Sequence, residues 1–318
     1  MLKVSWFDHV AGEVDDALAA LPECAMCPHD LYRALVQTPR PARVRIALVA
    51  DGDGPVAVIG LAQSGALAWE PITNWLFPGE GFPARPGRAV DALAALGVEA
   101  PVAWWRMGAP PPRGPMIHDL EVTPAHRLDD LAGREEFWRS TDYLRHIKNI
   151  RNRTRGLELR IGVPEIAEQV AAGWFGKWIG ADSADPQVRA RVLIADALEP
   201  LGRHITVGLF DDGKLAAGST NFIHNGELVA GILYMPDEYR RLGAGVRLID
   251  VMFQIAEERG LSAFDLGGAA EYKRKWAPPV GERVSFVVAP PGVRFARKLA
   301  AKAKALLRGG ARASAPAS

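Results

Sequence analysis

Arg240-Arg241-Leu242-Gly243-Ala244-Gly245 lies between an apolar run, Glu227 to Met235, and a stretch free of proline and glycine that continues to Gly260. Glycines at a strand-to-helix junction let backbone amides converge at a helix N-terminus, where unsatisfied donors and the helix dipole attract an anion. A pyrophosphate fits such a hollow; Arg240 adds fixed positive charge, and Ala244 keeps the approach free of bulk. Two other readings stay open. The glycines could serve only to turn the strand into the helix, or they could belong to a dinucleotide loop, since Asp265 follows about twenty residues later. Against the second, Leu248 stands where a third glycine belongs, and Pro236 to Leu242 separates strand from glycine.

The elements that must position this loop can be read from periodicity and turn chemistry. Lys3 to Phe7 reads as a short strand, with helices at Glu13 to Leu21 and Pro28 to Val36. Val44 to Ala50 and Val56 to Gln63 alternate around Asp51-Gly52-Asp53-Gly54-Pro55, which predicts a hairpin. Trp69 to Gly87 is too irregular for a regular element, Arg88 to Leu96 is helical, Val102 to Trp105 is an apolar strand, and Pro110 to Pro115 is a proline-rich crossing. The second half opens near Leu128 with one long amphipathic helix, Arg134 to Arg155, closed by Gly156 and followed by the strand Leu157 to Ile161. Helices at Ile166 to Ile179 and Pro186 to Pro200 precede strands at Ile205 to Phe210, Leu215 to Ile223 and Glu227 to Met235. These are joined by Asp211-Asp212-Gly213-Lys214 and His224-Asn225-Gly226, both hairpin turns. The helix Gly245 to Arg259 and the strand Ser262 to Leu266 complete the order. The first half repeats a shortened form of it, so one fold is used twice.

Arg240-x-x-Gly243-x-Gly245 between strand and helix is similar to the acyl-CoA loop of the GNAT superfamily. Tyr143-x-x-x-Ile147-x-Asn149-x-Arg151-x-x-x-Arg155-Gly156, Phe264-Asp265-Leu266-Gly267-Gly268 and Glu271-Tyr272-Lys273-Arg274-Lys275-Trp276 resemble the branch with the FemAB-like peptidyltransferases and the CelD-like acyltransferases of polysaccharide-making bacteria. The resemblance covers Leu128 to Val288 well and the first 125 residues loosely, where Pro78-Gly79-Glu80-Gly81 occupies the region of the loop. It implies an α/β (α+β) fold of tandem GNAT-like lobes, each a mixed, mostly antiparallel sheet flanked by helices. Residues 1–127 would form a degenerate lobe that helps build the acceptor cleft, 128–292 the acyl-CoA-binding lobe, and 293–318 a basic tail.

It also implies the chemistry. Acetyl-CoA or another acyl-CoA would be the co-substrate, held by Arg240, Arg241, Leu242, Gly243, Ala244 and Gly245, and an acceptor amine would attack the thioester directly. The strands Glu227 to Met235 and Ser262 to Leu266 would splay and free a backbone N–H for the thioester oxygen. Tyr272 would be the acid, Lys273 would steady negative charge, and Asp265 would accept the amine proton or orient what does. Lys148, Arg151 and Arg155 would meet the anionic group of a nucleotide-linked sugar acceptor. Plainer readings stand beside these: a surface aromatic, a solvated lysine, a turn-fixing aspartate and a solvated helix with ion pairs. Glu227, His224, Tyr234 and Glu271 are weaker candidates read as structural, and Trp174, Phe175 and Trp178 read as core or cleft wall. The implied activity is an acyl-CoA-dependent N-acyltransferase acting on an amino sugar, free or lipid-linked, in envelope or exopolysaccharide synthesis. Its rivals are a FemAB-like aminoacyltransferase using aminoacyl-tRNA and a non-catalytic nucleotide-binding module at a membrane complex.

With 318 residues, 48% hydrophobic and 24% charged, the chain can bury two cores of ordinary size. Two cysteines cannot make a disulfide framework. Cys24-Ala25-Met26-Cys27 has redox or metal spacing but no second ligand pair, so no metal is expected. The net charge of +1 hides a tail whose seven lysines and arginines, Arg294 to Arg312, meet no acidic residue; the remainder is acidic, which argues against nucleic acid as a partner. That tail suits a helix resting on an anionic membrane surface, and equally a solvated last helix. Lacking an apolar run of about 18 residues and a leader-like start, the chain reads as cytoplasmic, with the inner face of the membrane as its other expected place.

Overall fold

The computed structural model describes residues 1–289 apart from 25, 66–67, 74–75, 78–80, 100–101, 108–116 and 269. The basic tail lies outside the described residues. The first half runs β1 (Lys3–Phe7), α1 (Glu13–Ala20), α2 (His29–Gln37), β2 (Val44–Asp51), β3 (Gly54–Gly65), β4 (Ala68–Pro71), α3 (Ala89–Glu99), β5 (Val102–Met107) and β6 (Ile117–Leu128). After α4 (Arg134–Ser140) and α5 (Leu144–Arg153) the order returns as β7 (Glu158–Ile161), α6 (Pro164–Ile179), α7 (Pro186–Leu198), β8 (His204–Asp211), β9 (Lys214–His224), β10 (Glu227–Tyr234), α8 (Ala244–Glu258), β11 (Ala263–Asp265) and β12 (Pro279–Val288).

The duplication is complete, element for element, and the strands form one twelve-stranded sheet in the order β1-β2-β3-β4-β5-β12-β6-β11-β10-β9-β8-β7. Among the described residues only one neighbouring pair in each half is parallel, β4 with β5 and β10 with β11. The last strands are exchanged: β6 pairs with β11 of the second half, β12 with β5 of the first, and β6 and β12 run antiparallel to each other at the centre. The two hairpin turns of the second half form as their sequences dictate, with left-handed φ at Asp212 and Gly213 (47° and 77°) and at Asn225 and Gly226 (52° and 75°).

Three strands depart from the expectation. Ala68–Pro71 runs into the stretch from Trp69 expected to be irregular, and β6 and β12 had no counterpart in the expectation. The single helix expected from Arg134 to Arg155 is two. Ser140 Oγ bonds back to Phe137 O and Thr141 Oγ1 to Trp138 O, and Asp142 takes φ 55°. Short polar side chains that offer the backbone such alternatives end helices. The break turns α5 so that the Tyr143 ring meets Trp276 edge-on, 5.2 Å between centres.

The second half buries both faces of its sheet. On one, α8 sets Leu248, Met252, Phe253 and Ile255 against Ala217, Leu228 and Phe264, and the aromatic cluster Trp138, Phe253, Phe264 and Trp276 is fully buried. Each such large apolar side chain contributes about 1.5–3 kcal/mol by leaving water. On the other face, Ala190, Ile194 and Leu198 of α7 join Phe222 and Val229 to the core of the first half. The halves share one core there.

Candidate active site

The loop after β10 begins with a 3-10 turn, Asp237–Tyr239, and ends at Gly243, which caps α8 at φ 85°, ψ 27°. Only glycine adopts that conformation without cost, and a Cβ there would also overlap Ile150 Cδ1 of α5. The Gly243 amide is spent inside the turn, on Tyr239 O and Arg240 O. Gly245 N donates to the Met235 thioether at 3.2 Å, a weak acceptor. No side chain caps α8, and the amides of Arg241, Leu242, Ala244 and Val246 have no acceptor among the described residues. Four free donors at the positive end of a 15-residue helix fit a pyrophosphate.

Beside this loop the sheet opens. β11 meets β10 only over Glu227 to Val229, so from Ala230 onward β10 has no strand on that edge among the described residues. Opposite, β10 carries a bulge against β9 between Ala230 and Ile232, and a Cβ on Gly231 would overlap the Thr220 carbonyl. The parted strands place free β10 backbone where a polarised carbonyl could accept a hydrogen bond. Both strands point their C-terminal ends toward the same side of the sheet, β10 leading into the loop and β11 into the 3-10 turn Glu271–Lys275.

Residues 134–274 match the acetyltransferase (GNAT) domain model. Solved structures similar to the chain include the C-terminal domain (DUF2156) of a putative lysylphosphatidylglycerol synthetase from Agrobacterium fabrum, 14% identical with TM-score 0.52, covering 91% of this chain and 94% of that one. L-PGS from Bacillus licheniformis is 13% identical with TM-score 0.53, covering 95% and 98%. At these identities the likeness is one of fold. A tandem GNAT protein from the clavulanic acid biosynthesis pathway aligns over 91% of this chain and 98% of its own, 16% identical with TM-score 0.46. No curated protein matches the chain.

Within the matched residues and beside them, the expected site residues occupy different surroundings. Tyr272 is 53% exposed on its turn, and partial desolvation of its hydroxyl raises its pKa above the ordinary tyrosine value. The Lys273 ammonium stands 6.0 Å from the Tyr272 ring centre. Asp265 Oδ1 accepts from Gly267 N at 2.6 Å, fixing the chain as it leaves β11. Asp265 lies opposite Arg127 of β6, whose guanidinium pairs with Asp129 (2.5 Å) and Glu227 (2.9 Å). That group brings β6, β10 and β11 together over the short stretch where β10 and β11 still pair. Glu227 is structural, as its sequence context suggests, whereas nothing in the sequence around Arg127 singles it out.

The basic residues of α5 and of the turn after it divide by role. Arg151 grips Asp250 of α8 through two bonds, 2.9 and 2.7 Å, and also reaches Glu135 at 2.9 Å; Arg247 holds the same aspartate from within α8. Asp250 is fully buried. Arg151, expected to meet the acceptor, is therefore occupied in tying α4, α5 and α8 together, and these interactions raise its pKa further. Lys148 and Arg155 are exposed. Arg240 pairs with Asp237 within the loop, and Asp237 also holds Lys177, so the loop is tied to α6. Seven residues of α5, about 10 Å of helix, separate Tyr143, packed on Trp276, from Ile150 beneath Gly243. Thus α5 spans the distance between the loop and the turn carrying Tyr272.

The weaker candidates have plain surroundings. Tyr234 lies against Gly173 of α6, where a Cβ would overlap its ring. His224 lies at the β9–β10 turn beside Asn225. Trp174 is part-exposed, Phe175 is buried, and Trp178 is 67% exposed, so Trp178 is not core. Cys24 and Cys27 are free thiols, and burial raises the pKa of Cys27 well above the ordinary thiol value, which makes it a poor nucleophile or ligand. Among the described residues no three His, Cys, Asp or Glu gather as a metal site, and no helix is long and apolar enough to cross a membrane.

Proposed function

We propose that the protein is an acyl-CoA-dependent N-acyltransferase whose acceptor is the amine of an amino sugar, free, nucleotide-linked or lipid-linked, in envelope or exopolysaccharide synthesis. The carrying observation is the set of unpartnered amides at Arg241, Leu242, Ala244 and Val246, beside the opening between β10 and β11. The donor diphosphate takes those amides, and the thioester lies along the free β10 edge. The acceptor nitrogen forms the C–N bond as the C–S bond breaks. The Tyr272 hydroxyl protonates the departing thiolate, Asp265 takes or directs the proton leaving the amine, and Lys273 steadies charge at the acceptor. A raised tyrosine pKa keeps the acid protonated at neutral pH. The first half walls the acceptor cleft, and the tail holds the protein at the inner face of the membrane.

Calorimetric titration of the full chain with acetyl-CoA tests the donor. Saturable heat, weakened about tenfold or more in Arg240→Glu as an attraction becomes a repulsion, is the expected result; no heat with any acyl-CoA would leave the reading without its donor. Release of free thiol on adding amino-sugar nucleotides then tests turnover. Tyr272→Phe is expected to lower kcat by about a hundredfold or more with KM for the donor unchanged, the scale of a lost general acid. Unchanged turnover would remove Tyr272 from that role.

A further inference from the structure

We propose that Arg153, at the end of α5, and Arg155, in the turn that follows it, together with Arg241 form a subsite for the ribose 3′-phosphate of the CoA donor, and so select CoA over its 3′-dephospho form. This rests on the acyl-CoA reading above. Arg153 Nη1 donates to the Arg241 carbonyl at 3.3 Å, which places the end of α5 on the loop whose amides are free. Ile150, one helical turn earlier, fills the space beneath Gly243, so the placement is fixed by packing. Arg153, Arg155 and Arg241 are all exposed, and none has a carboxylate partner among the described residues. The arginines nearest to them differ: Arg151 and Arg247 are committed to Asp250, and Arg240 to Asp237.

The chemistry matches. In CoA the 3′-phosphate is carried by the same ribose as the diphosphate, so a diphosphate on the loop amides leaves the 3′-phosphate within an arginine side chain's reach. It is a dianion near neutral pH, and a guanidinium binds it through paired N–H donors. Arg155 thereby serves the donor, and of the cations expected to meet the acceptor only Lys148 remains free to do so. Basic residues in the last turn of a helix also favour its dipole, but that role is blind to which nucleotide is bound.

The test is titration of wild type, Arg153→Ala and the double variant Arg153→Ala/Arg155→Ala with CoA and with 3′-dephospho-CoA, alongside melting curves. Wild type is expected to prefer CoA about tenfold or more, the worth of a charge-assisted hydrogen bond. The single variant should lose most of that preference and the double variant all of it, both at unchanged affinity for 3′-dephospho-CoA, and Arg153→Lys should keep part. A wild type that binds both nucleotides equally overturns the subsite while leaving the donor reading intact. So does an equal loss for both nucleotides in the variants with a lower Tm, which marks a helix-end role. A wild type that binds neither overturns both.

Discussion

Arg151→Ala is expected to cost about 3 kcal/mol of stability, the lower end of the range for removing one partner of a buried ion pair. The lower end applies because the arginine side chain is 27% exposed while that of Asp250 is 1% exposed. Of the guanidinium contacts on Asp250, the variant keeps only that of Arg247, which cannot surround the carboxylate alone. For a chain of this size, thermal melting should fall by roughly 5 °C. Arg151→Lys should recover little, because a lysine cannot make the paired contact. The same measurement decides between two roles: an Arg151→Ala protein that melts with the wild type but has lost its acceptor affinity would return Arg151 to the substrate.

Gly243→Val should reduce acyl-CoA binding on the order of a hundredfold, the penalty for displacing a positioned loop by about 1 Å. Two costs combine there. The residue must hold φ 85°, and its side chain must enter space already filled by Ile150. Gly260→Ala separates them, since Gly260 has φ 66° with nothing near its missing Cβ. It should cost about 1 kcal/mol of stability and leave donor affinity alone. Donor binding by Gly243→Val equal to that of wild type would show that the head of α8 does not receive the nucleotide.

Much of the second half is legible residue by residue, because its signals are local. Asp212-Gly213 and Asn225-Gly226 specify left-handed turns wherever they occur, and a loop between strand and helix rich in glycine and arginine advertises an anion site. The elements that sequence does not reveal are non-local. β6 and β12 are separated by some 150 residues, and each is a strand chiefly because the other is there. Pro124 in β6 argues against a central strand, yet it sits where β12 slips register between Pro279 and Glu282, and the irregular ladder there spares it the missing N–H. Periodicity alone cannot distinguish one helix from two that share an apolar face, which hides the break at Asp142. At the site, composition shows that α5 is basic. Which arginine faces Asp250 and which faces the loop depends on a break that periodicity cannot see.

The exchange of last strands also orders the protein's birth. β5 and β6 cannot be joined until residues beyond position 278 leave the ribosome, so the nascent N-terminal half waits with two open sheet edges through the synthesis of the whole second half. Bare edges invite pairing with another chain. A protein cut short before β12 should therefore reach the cell as an aggregate, although the cut falls well after the loop at the head of α8.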